Sequence, residues 1–450
     1  MRTSVRLGVT GLSRSGKTVF TTALIHSLLL ARERPQLLPF FSLANERRIL
    51  GARLAPAGDY KPFPYADHLA ALIRPEPAWP PSTTGLSEAR IAIEYRPAGV
   101  LSSHIVERTA TELIVVDYPG EWLLDLPLLA MSFAEWSAQV DALCAEDPRA
   151  SLAADWHVVR SGLDHDQPAD EALMARAGAS YKAFLARCRA APHHLTYLQP
   201  GRFLVPGDDF SDPTLLQFCP LAPLPPPWRP KRGSLYAALE ARYDAYRRRI
   251  IEPFYREHFH RLDRQIILAD VLTALDAGYA AFMDARRALS AILGSFRYGR
   301  SRILPMLLGR RVDRALFAAT KADHITVSQY NNLRHLLQAM VLGDAQRAEA
   351  GGARIEFGLV ASVKATTNAK QTILGHRRDV LIGTIVGTQE PSAVFPGEIP
   401  GRLPEPEDWI GQPFRFADFV PPNLSTAETT GIPSIHLDKA LEFLIGDRFR

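Results

Sequence analysis

The chain contains few cysteines, little net charge and no long apolar run. Three of its 450 residues are cysteines, Cys144, Cys188 and Cys219, and no two of them form a C-x-x-C pair. Neither a disulfide framework nor a cysteine metal site is therefore predicted. The formal net charge is +4, which is small for this length and argues against nucleic-acid binding. No uncharged apolar stretch reaches the ~20 residues of a membrane span, and no secretory signal is visible. We expect a cytoplasmic protein with reduced thiols, no transmembrane segment and no nucleic-acid partner.

Apolar runs alternate with helical patterns in both halves of the chain. Strands are predicted at residues 5–10, 90–96, 112–117, 264–271, 316–320 and 356–362, with helices at 17–32, 279–296 and 329–341. Strands that alternate with helices form right-handed crossovers and a mainly parallel sheet. Residues 35–81 are expected to be irregular, apart from a short helix near 66–73. The pattern as a whole predicts an α/β fold.

The middle of the sequence has a different character, because helical patterns replace strands there. A long amphipathic helix is predicted at 234–262, with Ser234 as its N-cap. The expected domains are a core formed by residues 1–123 and 263–450, and a large α-helical insertion at 124–262. Within the second half of the core, we expect a Pro-rich stretch at 389–422 to run extended over the surface, and a final helix at 434–449.

The stretch GVTGLSRSGKTVF, residues 8–20, has the spacing of a phosphate-binding loop, G-x-x-x-x-G-K-T. It falls between a predicted strand and a predicted helix, where backbone N–H groups and the helix dipole favour an anion. The residues expected to contact the nucleotide here are Ser13, Arg14, Ser15, Gly16, Lys17, Thr18 and Val19. Lys17 would reach the terminal phosphates as a catalytic charge, and the Thr18 hydroxyl would bind Mg²⁺. The alternative is an ordinary Gly-rich turn before a helix.

Arg14 is unusual inside such a loop. One interpretation is catalytic: its charge neutralises the terminal phosphate, as an arginine supplied in cis does, or acts across a dimer. The other is that the side chain is solvated and points away.

A second acidic motif, Asp117-Tyr-Pro-Gly120, follows a buried apolar run and has the spacing D-x-x-G. Asp117 is expected to hold Mg²⁺, and the Gly120 N–H to sense the terminal phosphate. A threonine from the preceding loop should complete the metal site, and we favour Thr83. Trp79 would either cover the nucleotide or belong to the core. The alternative for the whole motif is a simple strand-to-loop turn.

The base is indicated by Thr320-Lys321-Ala322-Asp323 at the end of a predicted strand, which matches [N/T]-K-x-D. A carboxylate at Asp323 accepts two hydrogens from the guanine edge that adenine does not offer, and the Lys321 stem would stack on the purine. The neighbouring residues expected at the nucleotide are Thr320, His324, Ser362 and Val363. The motif therefore predicts GTP and GDP as ligands, with Mg²⁺. A helix N-cap is the alternative for Asp323.

Glu121 follows the D-x-x-G glycine, where small GTPases carry a glutamine that positions water. A carboxylate next to the terminal phosphate is repulsive unless it is protonated or paired. As a catalytic residue Glu121 would therefore give slow hydrolysis, or would use another geometry.

The motifs G-L-S-R-S-G-K-T, D-Y-P-G-E-W and T-K-A-D, with DRQIILADVLTAL at 263–275, together resemble the YcjX-like family of bacterial stress-associated P-loop GTP-binding proteins. The resemblance covers nearly the whole chain. It implies a Ras-like core with the helical insertion after the D-x-x-G motif. It also implies a link to the envelope-stress response and a membrane-protein partner, which keeps peripheral attachment at the inner membrane open.

Three functions remain on the sequence alone. The leading hypothesis is a Mg²⁺-dependent GTPase that acts as a conformational switch on an unknown protein effector. The second is a nucleotide-binding interaction module with negligible turnover, which Glu121 favours. The third is a P-loop ATPase or kinase, against which the T-K-A-D motif argues.

Overall fold

The computed structural model describes residues 3–12, 14–98, 108–207, 212–224, 228–295, 312–349, 352–373, 376–411 and 414–449. Within these residues a central sheet contains eight strands: β1 Thr3–Gly11, β2 Ile49–Ala55, β3 Lys61–Pro62, β4 Ser87–Tyr95, β5 Thr109–Asp117, β6 Arg264–Ala269, β7 Arg314–Ala319 and β8 Arg354–Leu359. The main strand order is β2-β4-β5-β1-β6-β7-β8, with β3 paired to β4.

The sheet is mainly parallel, as the alternation of strands and helices predicts. β1 pairs in parallel with both β5 and β6, and β6, β7 and β8 continue in parallel. β4 is antiparallel to β5 and to β2. Because the carboxyl ends of parallel strands share one edge, the loops after β1, β5, β7 and β8 meet there.

Helices cover both faces of this sheet. Outside the segment between β5 and β6 they are Lys17–Leu30, Ser42–Asn45, Tyr65–Ile73, Val271–Asp276, Tyr279–Ser295, Tyr330–Glu349, Ala427–Thr430 and Leu437–Ile445. One face packs Leu7 and Val9 against Leu24 of the first helix and Leu441 near the C-terminus. The opposite face buries other apolar side chains, including Ile267, beneath the helices that follow β6. None of the helices among the described residues is long and apolar enough to span a membrane.

The segment between β5 and β6 is predominantly helical. It contains a 3₁₀ turn at Gly120–Ala130, helices Phe133–Cys144, Arg149–Leu152, Ala154–Ser161, Glu171–Arg189 and Leu235–Tyr246, and π-helical turns at Arg247–Ile251 and Phe254–His258. Ser234 caps its helix as expected, with its hydroxyl accepting from the Ala237 N–H. Trp136 and Tyr181 of this segment share a hydrophobic cluster with Val116 and Ile267 of the sheet. The domain boundaries at 124 and 262 stay a prediction.

Three expectations need correction. The stretch 35–81 is not irregular throughout, because it contains β2, whose half-exposed side chains lack a clear alternation. A small antiparallel sheet, β9 Thr367–Ile373, β10 His376–Gly383 and β11 Ser392–Val394, has no counterpart in the sequence reading. The stretch 389–422 does not simply cross the surface, since it buries Ile399, Phe414 and Phe419.

Candidate functional site

A cleft of about 370 Å³ lies where β1, β7 and β8 end. The sequence-predicted residues that line it are Arg14, Ser15, Gly16, Lys17, Thr18, Val19, Trp79, Thr83, Thr320, Lys321, Asp323, His324, Ser362 and Val363. Asp117, Gly120 and Glu121 are not among its lining residues, and Ser13 lies outside the described residues. The cleft therefore brings together two sets of motif residues from opposite halves of the chain.

The phosphate-loop motif forms a tight turn between β1 and helix Lys17–Leu30. Gly16 has φ +74°, a left-handed conformation that favours glycine, and no side chain among the described residues caps the first helical turn. The Lys17 ammonium folds back over the loop, with Nζ donating to the Gly11 carbonyl at 3.3 Å. The Ser15 hydroxyl is buried and has no partner within the described part of the chain. The geometry presents a cation and helix-terminal N–H groups to an anion in the cleft.

Three oxygen-bearing side chains converge beside this loop. The Thr18 and Thr83 hydroxyl oxygens lie 3.1 Å apart, and Thr83 Oγ1 donates to Asp117 Oδ2 at 2.7 Å. Thr18 Oγ1 also donates to the Pro81 carbonyl, which fixes the loop that carries Thr83. Hydroxyl and carboxylate oxygens are the ligands that Mg²⁺ prefers, so this donor set fits the metal that the sequence predicts.

Asp117 is the member of this set that most clearly needs a cation. The residue is 1% exposed, and its Oδ1 has no hydrogen-bond partner among the residues described. Burial raises the pKa of the carboxyl to about 6, although the Thr83 hydrogen bond and the Lys17 charge act in the opposite direction. A buried carboxylate oxygen without a partner is what a metal ion would satisfy.

Gly120 packs on the phosphate loop, whereas the Glu121 side chain is directed away from it. A Cβ on Gly120 would collide with the Gly11 carbonyl, so glycine is required for the D-x-x-G turn to pack on the phosphate loop. Glu121 instead forms an ion pair with Arg189, at 3.0 Å from Oε1 to Nη2, and its side chain is 9% exposed. The carboxylate is thus held by the helix Glu171–Arg189 rather than presented to the cleft.

Arg14 lies at the boundary between the cleft and the helical segment. Its φ of +62° is unusual for a residue with a side chain. The guanidinium Nη1 lies 3.4 Å from His194 Nδ1, whose pKa is lowered by burial and by the Arg14 charge. The side chain lines the cleft and also a small neighbouring cavity with Arg189 and Asp270. Both interpretations of Arg14 therefore remain open.

At the base end, Lys321 has φ +57°, and its ammonium contacts the Thr273 hydroxyl at 3.4 Å as well as two carboxylates. Nζ lies 2.9 Å from Asp270 Oδ2 and 3.3 Å from Asp418 Oδ1. Burial lowers the pKa of Lys321, but the two carboxylates outweigh burial and the net shift is upward. The lysine head is therefore fixed as a cation, with its stem at the wall of the cleft.

Asp323 and His324 lie next to this lysine, both almost fully buried. Asp323 Oδ2 accepts from the Ala365 N–H at 2.8 Å, and Thr366 Oγ1 donates to the Asp323 carbonyl. Burial raises the pKa of Asp323. The Thr320 hydroxyl is directed to the Ala269 carbonyl, at 3.4 Å. A buried carboxyl group whose orientation is fixed suits recognition of a specific base edge.

The sequence reading missed the wall contributed by the second half of the core. Val386, Asp418 and Phe419 line the cleft, and the Trp79 indole Nε1 donates to the Phe419 carbonyl at 2.9 Å. No motif spacing marks these residues, because they come from the Pro-rich stretch and its neighbouring small sheet. An Asp–Phe pair within a Pro-rich stretch has no recognisable spacing, so only the fold shows that Asp418 and Phe419 line the cleft.

The loop with the phosphate-binding motif lies at a helix N-terminus and at the carboxyl edge of a mainly parallel sheet. This combination defines a P-loop α/β protein. Within that class, the chain belongs to the YcjX-like family, DUF463, which matches residues 5–449. The resemblance seen in the sequence motifs is thereby confirmed. The chain is 39% identical over 454 residues to the Ras-like GTPase YcjX of Escherichia coli (strain K12), covering 99% of this chain and 96% of that protein. It is 36% identical over 465 residues to the Ras-like GTPase YcjX of Shewanella oneidensis, covering 99% and 94%.

Proposed function

We propose that the protein binds GTP and GDP with Mg²⁺, hydrolyses GTP slowly to GDP and phosphate, and works as a nucleotide-dependent switch. The observation that carries this proposal is the single cleft that joins the phosphate loop to the Thr320–Asp323 motif. The names of the two relatives, both Ras-like GTPases, support it.

At the phosphate end, Lys17 binds the terminal phosphates through its ammonium. Thr18, Thr83 and Asp117 would hold Mg²⁺, which supplies charge neutralisation at the phosphate oxygens when bound. Thr83 belongs to a loop fixed through Pro81, and Gly120 packs on the phosphate loop. Loss of the terminal phosphate would therefore alter the contacts of both segments.

At the base end, Asp323 accepts hydrogens from the guanine edge while Lys321 flanks the purine. Ser362 and Val363 line the same end of the cleft, after β8. An adenine base would offer the buried Asp323 carboxylate no matching pair of donors beyond the Ala365 N–H, which costs free energy. This arrangement disfavours the ATPase or kinase alternative.

Two further residues are proposed for catalysis. Arg14 would neutralise charge on the phosphates, and Glu121 would position water only after leaving Arg189. The Glu121–Arg189 ion pair is the specific observation that favours the second candidate function, an interaction module with negligible turnover. Under either function, the protein effector would bind the helical segment that contains Arg189, the ion-pair partner of Glu121.

The cellular context rests on the family resemblance. We propose a role in bacterial envelope stress, in the cytoplasm or peripherally at the inner membrane, with a membrane-protein partner.

The experiment that tests the function measures binding of GTP, GDP and ATP, and turnover of GTP and ATP, by the purified protein with Mg²⁺. Tight guanine binding with slow, measurable GTP turnover supports the switch GTPase. Guanine binding without turnover supports the interaction module instead. Equal competition by ATP would contradict the base assignment, and the absence of nucleotide binding would contradict both functions.

A further inference from the structure

We infer that Asp418 and Phe419 form a further wall of the nucleotide site and, through Lys321 and Trp79, hold the guanine base in place. This inference rests on the proposed function, because it names residues that would set how firmly the base is bound. It assigns a binding role to the region after β10, which lies outside every nucleotide motif of the sequence.

The first step is the position of Phe419. Its ring packs edge-on against His324, with ring centroids 5.0 Å apart and an interplanar angle of 89°. The residue is 2% exposed and lines the cleft, so it is a built part of the wall. It therefore supports the segment directly after Asp323.

The second step is the link from Phe419 to the loop that carries Thr83. The Trp79 indole donates to the Phe419 carbonyl at 2.9 Å, while the Trp79 residue remains 38% exposed. Trp79 itself lines the cleft. A half-exposed aromatic ring fixed by one hydrogen bond thus joins the phosphate-side loop to the base-side wall. A bound base that leaves past Trp79 requires the hydrogen bond between Trp79 and the Phe419 carbonyl to break.

The third step concerns Asp418, whose carboxylate reaches Lys321 Nζ at 3.3 Å. The side chain is 72% exposed, whereas the second partner of that ammonium, Asp270, is buried. The Thr273 hydroxyl is a third partner, at 3.4 Å from Nζ, so the lysine head is held at three points while Lys321 lines the cleft. An apolar stem in a fixed orientation can stack on a purine without first losing rotamer freedom.

The wall is also firmly attached to the small sheet. The Val386 N–H donates to the Asp418 carbonyl at 2.8 Å, and the Val420 N–H donates to the Thr384 carbonyl at 3.0 Å. The Phe419 ring lies so close to Gly383 that a Cβ there would approach its Cδ1 to 2.8 Å. These contacts fix the wall to the end of β10, so the small sheet supports this side of the cleft.

The test compares two Trp-to-Phe variants. Trp79→Phe removes the indole donor and keeps an aromatic ring at the cleft. Trp409→Phe is the matched control, because Trp409 Nε1 also donates to a backbone carbonyl, that of Leu275 at 2.8 Å, and does not line the cleft. We expect the Trp79→Phe variant to release a fluorescent GDP analogue about fivefold to tenfold faster, the effect of one hydrogen bond. The Trp409→Phe variant should release it at the wild-type rate.

A second variant tests the Lys321 anchor. Asp418→Asn keeps the shape of an exposed side chain and removes its charge, and it should weaken GDP and inosine diphosphate about threefold each, as expected for an exposed ion pair. Both nucleotides should respond alike, because Asp418 acts on the lysine and not on the base edge. Unchanged release in Trp79→Phe together with unchanged affinity in Asp418→Asn would overturn the inference, while wild-type GDP binding would keep the proposed function standing. A wild-type protein that does not bind GDP would remove the proposed function itself, and this inference with it.

Discussion

A buried aspartate lies near each end of the cleft, Asp117 at the phosphate end and Asp270 at the base end, and the net pKa shifts of the two carboxyls have opposite signs. Burial raises the pKa of Asp117 to about 6, with weaker opposition from Thr83 and Lys17. Burial acts in the same direction on Asp270, but the Lys321 charge and the Thr273 hydrogen bonds outweigh it and lower the pKa. Asp270 is thus paired with the Lys321 ammonium, whereas Asp117 keeps a raised pKa although the Lys17 charge acts on it.

The largest expected effect comes from the cation that the phosphate end does have. Lys17→Ala should weaken GTP and GDP binding by at least ~1000-fold, because a phosphate would then enter a buried site without its positive partner. Titration with a fluorescent guanine nucleotide measures the change. Unchanged affinity would show that the loop does not bind phosphate. The cleft would then have no phosphate end to compare with the base end.

At the base end, Asp323→Asn should weaken GDP by about 100-fold, since two hydrogen bonds to a charged acceptor are replaced by an amide with mixed polarity. The variant should gain preference for xanthine nucleotides, which present an acceptor where guanine presents a donor. Competition between GDP and xanthosine diphosphate reports this exchange. Retained preference for GDP would mean that the base end selects its ligand through another group.

The pH dependence of stability tests whether Asp117 lacks a cation. A carboxyl whose folded-state pKa is raised stabilises the fold fully below its unfolded pKa near 4, and that stabilisation is lost as the pH rises through about 6. Without metal or nucleotide, the free energy of unfolding of the wild type should therefore fall by about 2 kcal/mol relative to Asp117→Asn between pH 4 and pH 7.5. Urea unfolding at both pH values measures the difference.

Asp125 also contributes to the pH dependence of stability in that experiment, because burial raises its pKa to about 6. It is present in both proteins, so its contribution cancels when wild type and Asp117→Asn are compared. Mg²⁺ with GDP should abolish the difference, since the carboxylate then has a cation. Parallel pH profiles without metal would mean that Lys17 already satisfies Asp117.

The parts of the site that could be predicted from the sequence are those that depend on local backbone geometry. The phosphate loop and the D-x-x-G turn are local: Gly16 is required by its positive φ, and Gly120 by its close approach to the phosphate loop. Local backbone requirements leave a spacing in the sequence, so these residues could be recognised without the fold. The mainly parallel sheet was predictable for a similar reason, because its buried strands contain short continuous apolar runs, such as residues 266–269 of β6.

The parts that could not be predicted depend on contacts between distant segments. Phe419 joins the cleft through Trp79 and His324, and Glu121 is drawn from it by Arg189. Neither contact has a fixed spacing along the chain. β2 and β10 of the small sheet were missed because their largely exposed side chains lack a clear alternation of apolar and polar residues.

The smallest expected effect separates the two candidate functions at the phosphate end. Glu121→Gln removes the charge that Arg189 binds and places an uncharged amide beside the site, so GTP turnover should rise about threefold to tenfold with little change in affinity. Single-turnover hydrolysis of bound GTP measures this directly. Arg189→Gln is the control: it breaks the same ion pair but leaves a carboxylate that the terminal phosphate repels, so it should give no increase. If turnover instead falls in Glu121→Gln, the carboxylate itself takes part in hydrolysis. The phosphate end would then contain a catalytic carboxylate despite its repulsion of the terminal phosphate.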